Sequence, residues 1–420
     1  MVTTDSRDCP EGSIFFALKG ESFNGNAFAK AALDKGCAYA VVDEAQFAEE
    51  GNDRIILVDD CLVTLQQLAN YHRRQLATPI VGITGTNGKT TTKELVATVL
   101  MKKYKVLFTK GNFNNHIGVP KTLLGLSPEH EMAVVEMGAN HPGEIKTLVN
   151  IVEPDCGLIT NVGKAHLQGF GSFEGVIRTK GELYDYLRTK PGAFIFLHND
   201  NPHLASIATG LEAVRYGSPC ADADMAVEGE VVSCAPYLRF RWREREGEWH
   251  EVQTHLVGAY NIDNMLAAAT VGLRFGVAPQ LIDEALADYV PSNNRSQLEK
   301  TERNSLIIDA YNANPTSMMA ALRNFAQMQV SRKFALLGDM RELGADSQAE
   351  HQKVVDFLRG AKFDEVWLVG FEFQKVAGSF RSFPDVDSAI EALRAERPEG
   401  YYILVKGSNG IKLSKAVPEL

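Results

Sequence analysis

Val81–Leu100 reads VGITGTNGKTTTKELVATVL. A short apolar run ends in a glycine-rich turn, a Gly-Lys-Thr triplet follows, and helical spacing begins at once. Gly82, Gly85 and Gly88 let the backbone turn sharply and present its N–H groups. With the start of the next helix they make an anion cradle, built from the loop Gly85, Thr86, Asn87, Gly88. In such a loop Lys89 reaches the β- and γ-phosphates of a nucleotide, and Thr90, followed by Thr91, offers a hydroxyl to Mg2+. Ile83 stands where the common pattern has its first glycine, five residues before the Gly-Lys pair. The loop is therefore a variant, not the usual GTPase or motor form. The bland alternative is a strand-to-helix turn with a solvated lysine, and the triplet at this junction speaks against it.

The same rhythm extends outward. IVGITG, KVLFT, MAVVEMG, CGLITNV and GAFIFLHND are short apolar runs separated by helical stretches such as FEGVIRTKGELYDYLR. This alternation predicts an α/β fold with a parallel sheet wrapped by helices. Residues 225–257 break the rhythm and read as hairpins, an antiparallel insert. After PSNNRSQ it restarts with SLIIDAY, KFALLGDM, EVWLVG and YYILVKGS, a Rossmann-like unit. Before Ile80, SIFFALKG, YAVVDE and IILVDD are strand-like, NAFAKAALDKG is helical, and CLVTLQQLANYHRRQLA is an amphipathic helix leading onward. Three domains are expected, at 1–77, 78–296 and 297–420.

Composition bounds the function. The chain has 420 residues, 45% hydrophobic and 23% charged, with a formal net charge of −10. That is the composition of a globular protein, and the charge argues against a general nucleic-acid or membrane-surface binder. No apolar run approaches the roughly 20 residues of a membrane span. The six cysteines form no Cys-x-x-Cys pair, and no signal-peptide pattern is present. Scattered thiols fit a reducing cytoplasm. The chain starts almost directly in strand-like sequence, so it is expected to begin late and to lack a leading helix.

Other candidates lie at predicted strand ends, where open α/β sheets place their ligands. Glu136 ends AVVEMG and is a metal ligand or a cap. His166 follows LITNVGKAH and is a ligand or a structural histidine. Asn115, in GNFNNHIGVP, is by itself a turn signal, and only the constellation makes it a candidate nucleotide contact. Lys180 lies in a helical stretch, where most lysines are solvated. Asn261 and Asn264 open a helix, where asparagine is a natural cap.

Taken together, GITGTNGKTTT, GNFNNHIGVP, VVEMGANHPGEI, LITNVGKAHLQGFGSFEGV and KGEL resemble the central ATPase domain of the Mur ligase family. DAYNANPTSM and GDMRELG resemble the member that adds D-alanyl-D-alanine to UDP-N-acetylmuramoyl-tripeptide. TTDSR, FFALKGESFNGNAFA and VKGSNGIKL extend the resemblance to nearly the whole chain. It implies a cytoplasmic monomer that activates a carboxylate with ATP, as an acyl phosphate, and joins it to an amine.

By motif, Lys89 and Thr90 then handle phosphates and Mg2+. Glu136 and His166 match ligands of a second Mg2+, and Lys180 matches a lysine carbamylated by CO2. Asn261 and Asn264 match adenine contacts. Arg295 and Asp309 match groups that engage ATP when the domains close. Asn312, Asn314 and Ser317 lie where the dipeptide is expected, and Asp5, Ser6, Arg7, Lys19 and Asn24 where the UDP part is expected. Tyr260 stands where the family often has histidine before the Asn-x-x-Asn pair, and a missing leading helix would weaken UDP-sugar binding.

Sibling ligases are the nearest rivals. A tripeptide-forming ligase would carry an Asp-Asn-Pro-Arg segment, and a folylpolyglutamate-synthase-like chain would lack the first domain. A GTPase or P-loop kinase would carry Asn-Lys-x-Asp or an aspartate in place of Glu136. A dead nucleotide-binding module would have lost Lys89, Glu136, His166 or Lys180.

Overall fold

Runs of Val, Ile, Leu and Phe three to six residues long become strands of three larger sheets, joined by helices. The structure, a computed structural model, describes residues 1–221, 224–234, 236–292 and 295–420. Ala235 of the expected hairpins and Asn293 and Asn294 of PSNNRSQ lie outside them.

The N-terminal sheet is parallel, in the order Val2–Thr3, Ile14–Phe16, Tyr39–Val42, Ile55–Leu57. Phe15, Phe16, Ala32, Cys37 and Val42 fill its core. Helix Cys61–Gln75 starts where the Asp60 carboxylate accepts the Val63 N–H. Its first turns, through Cys61 and Leu65, close the N-terminal core, and Ala69 enters the central core. Arg73 then donates from Nε to the Val152 carbonyl and from Nη2 to Asp155, both at 3.0 Å. The helix expected to lead onward is thus a brace between two units.

The central sheet has nine strands, in the order His250–Val257, Tyr237–Glu244, Met225–Cys234, Glu212–Gly217, Phe194–His198, Cys156–Ile159, Ile80–Thr84, Met132–Glu136, Val106–Phe108. The expected antiparallel run is present and is continuous with this sheet. Met225–Cys234 pairs in parallel with Glu212–Gly217 before the next two strands turn antiparallel. Alternation explains its stability: Phe240 and Trp242 face the core, while Arg241 and Arg243 pair with Glu230 and Glu228 on the open face. Both faces of its parallel part are covered by apolar cores, as a parallel sheet requires. Ile80–Thr84 lies between Cys156–Ile159 and Met132–Glu136, where the strand order reverses, and the ends of all three strands face one crevice.

The C-terminal sheet runs Gln297–Lys300, Ser305–Asp309, Tyr402–Lys406, Lys333–Gly338, Glu365–Val369, Arg381–Phe383. Only its first strand is antiparallel. All six cysteines are free thiols. Among the described residues no helix is long and apolar enough to cross a membrane.

Candidate active site

The phosphate-loop strand ends at Thr84, and helix Lys89–Leu100 begins four residues after Gly85. Gly85 has φ +141° and Gly88 φ +78°, and a Cβ at Gly88 would sit 2.6 Å from Asn264 Oδ1. Only glycine suits both demands. Lys89 folds back over the loop and donates to the carbonyls of Gly85 (2.9 Å) and Thr86 (3.0 Å). Burial pulls its amine down to about 8, the nearby Glu136 carboxylate opposing and Arg295 reinforcing the shift. Such an amine gains from a phosphate that restores its charge.

Thr86, Asn87, Gly88, Lys89 and Thr91 line a cavity of about 730 Å3 together with Asn115, Glu136, His166, Asn261, Asn264, Arg295, Asp309, Asn312 and Ser317. Most of the sequence candidates from the second and third units therefore meet at one site. Thr90 is just behind, its hydroxyl donating to Glu136 Oε1 at 3.2 Å. Asn114 Nδ2 holds the same oxygen at 2.8 Å, while the other, Oε2, is buried without a hydrogen-bond partner. An orphaned carboxylate oxygen beside a threonine hydroxyl fits a hard cation.

Several candidates also make local structural contacts. Asn115 makes the expected turn ahead of helix Gly118–Leu123, its Oδ1 accepting from the N–H of Ile117 and Gly118. Asn261 and Asn264 do not cap with their side chains; they form a buried relay. Thr92 Oγ1 donates to Asn264 Oδ1 (2.9 Å), Asn264 Nδ2 to Asn261 Oδ1 (2.9 Å), and Asn261 Nδ2 to the Val257 carbonyl (2.9 Å) and Ser296 Oγ (3.2 Å). Asn314 and Ser317 form a reciprocal capping box at helix Pro315–Gln327. Asn314 Nδ2 also reaches Asn87 of the phosphate loop at 2.7 Å.

His166, at φ +50°, presents Nδ1 to the Glu342 carboxylate of the C-terminal unit. Lys180 does not line the cavity. It is buried behind it, donating to the Ala139 carbonyl at 3.1 Å with its amine 5.2 Å from the Phe170 ring centre. Burial holds that amine well below the usual lysine value, and the nearby Lys89 adds to the effect. Among the described residues no group of three or more His, Cys, Asp or Glu gathers to hold a metal.

Arg295 stacks over Tyr311, 4.1 Å from the ring centre. Asp309 pairs with Lys406 at 2.5 Å; the two end neighbouring parallel strands in register. The N-terminal candidates stand apart from the cavity. Asp5 takes a bidentate contact from Arg7, 2.9 Å for each bond, and the Ser6 carbonyl accepts from Lys35. Lys19 pairs with Asp43 and Glu44, and Asn24 bonds Glu44. Asn114 and Lys406 were missed in the sequence: nothing distinguishes Asn114 from Asn115, and Lys406 shows only through its register opposite Asp309.

Family models match along the chain: Mur ligase middle domain at residues 83–272, the Mur ligase glutamate ligase domain at 294–409, and the Mur ligase family catalytic domain at 1–73. The chain belongs to the Mur ligase family. Its Mur ligase relatives include UDP-N-acetylmuramoyl-tripeptide–D-alanyl-D-alanine ligases of Bacillus subtilis and Escherichia coli. Each is 34% identical over all of this chain and 92% or 93% of its own length. Among solved structures, MurF from Acinetobacter baumannii superposes with a TM-score of 0.90 at 30% identity, covering 100% of this chain and 92% of that one. MurF ligase from Thermotoga maritima, in complex with ADP, gives 0.86 at 25% identity, covering 100% and 96%.

Proposed function

We propose that the chain joins D-alanyl-D-alanine to UDP-N-acetylmuramoyl-tripeptide, converting ATP to ADP and phosphate, in the making of a cytoplasmic peptidoglycan precursor. The observation that carries the reading is the single cavity in which the phosphate loop, the orphaned Glu136 oxygen and the Arg295–Asp309 wall converge. Relatives bearing that activity in their names, matched over the whole chain, support it.

An amide formed from a carboxylate at neutral pH needs an activated leaving group. Lys89 and the loop N–H groups hold the β- and γ-phosphates. The tripeptide carboxylate takes the γ-phosphoryl group, giving an acyl phosphate and ADP. The dipeptide amine then attacks the acyl carbon; the new C–N bond forms, phosphate leaves with the C–O electrons, and the amine proton passes to solvent. Such transfer asks for positioning and charge neutralisation, with no protein nucleophile. Thr90 and Glu136 are the residues that would hold Mg2+, whose charge would offset that of the phosphates; His166 is assigned to a second ion beside Glu136. Arg295 and Asp309 engage the nucleotide from the junction, Asn312, Asn314 and Ser317 face the dipeptide, and Asp5, Ser6, Arg7, Lys19 and Asn24 receive the UDP part.

Lys180 is assigned a carbamate: burial lowers its amine, which favours the free base, the form that adds CO2 with loss of a proton. Lys180→Ala is expected to lose turnover that a short carboxylic acid restores; full turnover without the acid removes the carbamate.

The test of the whole reading is phosphate release from ATP with UDP-N-acetylmuramoyl-tripeptide, with and without D-alanyl-D-alanine. Release that needs both, with a pentapeptide product, is the expected result. Release with another amine moves the chain to a sibling activity, and no release with either overturns the reading.

A further inference from the structure

Besides the orphaned oxygen of Glu136, the cavity wall holds a carboxylate that no described residue hydrogen-bonds. Asp263 lies between Asn261 and Asn264 and lines the cavity, its side chain 46% exposed. No described residue hydrogen-bonds its carboxylate. His198 stands behind it, Nε2 3.5 Å from Asp263 Oδ1 and 3.8 Å from Asp200 Oδ2, with neither ring nitrogen hydrogen-bonded. The imidazole is stacked on Tyr216 at an interplanar angle of 6°, and Asp200 is occupied by the Ser218 N–H. His198 therefore backs Asp263 and leaves its cavity side open.

The direction of a bound nucleotide follows from the loop. Lys89 and Thr90 mark the β/γ-phosphate and metal end, and Thr90 leans on Glu136. The base must extend away from Glu136, on the side where Asn264 stands over Gly88. The relay from Asn264 runs on to Asn261 and Ser296, and Asp263, on the same helix turn, lines the same cavity. Asn261 and Asn264 spend their side-chain groups on the relay described above. Asp263 is a carboxylate, which repels phosphate and only accepts hydrogen bonds.

We propose that Asp263 is the base-selecting residue of this site, accepting a hydrogen bond from the exocyclic amine of a 6-aminopurine and rejecting the 6-oxo group of other purines. The inference rests on the nucleotide reading of the cavity. It makes selectivity a matter of one unsatisfied acceptor meeting either a donor or a second acceptor.

The test is calorimetric binding of ADP and of inosine diphosphate, which differ at that position, to the wild-type chain and to Asp263→Asn and Asp263→Ala. A thermal melt confirms that each variant is folded. The wild type is expected to favour ADP by about tenfold or more, the effect of one hydrogen bond to a charged group. In Asp263→Asn, whose amide can donate to a 6-oxo group, the ratio is expected to fall to within about threefold or to reverse, and in Asp263→Ala to shrink. An ADP preference unchanged in both folded variants overturns the assignment of Asp263 alone. A wild type that binds neither nucleotide overturns the assignment together with the nucleotide reading.

Discussion

Lys180 shows how a residue's environment sets its chemistry. Its amine meets one carbonyl and the face of Phe170, and among the described residues no carboxylate pairs with it. The charged form is therefore disfavoured. The consequence for stability has a definite sign. Between the lowered folded value and the unfolded 10.5, the unfolded chain binds a proton that the folded chain does not, so stability from this group rises with pH. In CO2-free buffer, Lys180→Met is expected to be the more stable form at neutral pH, with the gap to wild type narrowing as pH approaches 10.5. Chemical denaturation across that range measures it; a gap independent of pH would mean that the amine keeps its proton in the fold. The sequence placed Lys180 in a helix but carried no sign of its burial, which depends on the Ala139 loop 41 positions away. Glu136 was more legible, because an acidic residue ending an apolar run is visible in the chain. Its partner Asn114 was not, since two adjacent asparagines look alike until the loop is folded.

At the scale of the element, the phosphate loop was the most legible part of the chain, because its glycines answer a local demand. Gly88 and Gly143 test how much of that demand is conformation and how much is crowding. Both precede a helix in the left-handed region, at φ +78° and +85°, yet a Cβ at Gly143 meets open space while one at Gly88 meets Asn264. Gly143→Ala is expected to cost about 1–2 kcal/mol, the left-handed penalty alone. Gly88→Ala is expected to cost more and to disturb the Asn264 relay. Equal losses in thermal unfolding would show that the relay gives way freely. The cap at Asn314 is passed over in the sequence, where Asn314 and Ser317 are read only for the dipeptide. Asn-Pro-Thr-Ser is nevertheless a local helix-start pattern, and the structure forms the reciprocal Asn314–Ser317 box. Asn314→Ala is expected to cost about 0.5–2 kcal/mol through the cap. It should also raise the KM for ATP, because Asn87 loses its partner across the cleft. A stability loss with unchanged KM would confine Asn314 to capping.

Contacts between units belong to the whole molecule, and no periodicity encodes them. The loop after strand Cys156–Ile159 carries several that join the central and C-terminal units. Lys164 reaches Glu350 at 3.3 Å across 186 positions, the Lys164 N–H donates to Thr316 Oγ1, and His166 faces Glu342. The sequence read this loop for its histidine and passed over its lysine, since a surface lysine finds a distant carboxylate only after both sheets have formed. Glu350 is buried and also takes Lys353 from its own helix at 2.8 Å. The two lysines thus separate docking from local stability. Losing Lys353 removes a contact within one unit; losing Lys164 removes one between units. Lys164→Ala is expected to raise the radius of gyration of the ligand-free chain and to lower kcat/KM by about tenfold, equivalent to about 1.4 kcal/mol. Lys353→Ala should change neither. Because the Glu350 carboxylate is shielded from solvent, the difference between the variants is expected to persist as salt is raised. Small-angle scattering at two ionic strengths measures it. Identical scattering from the two variants would assign docking to the Asn87–Asn314 and His166–Glu342 contacts instead.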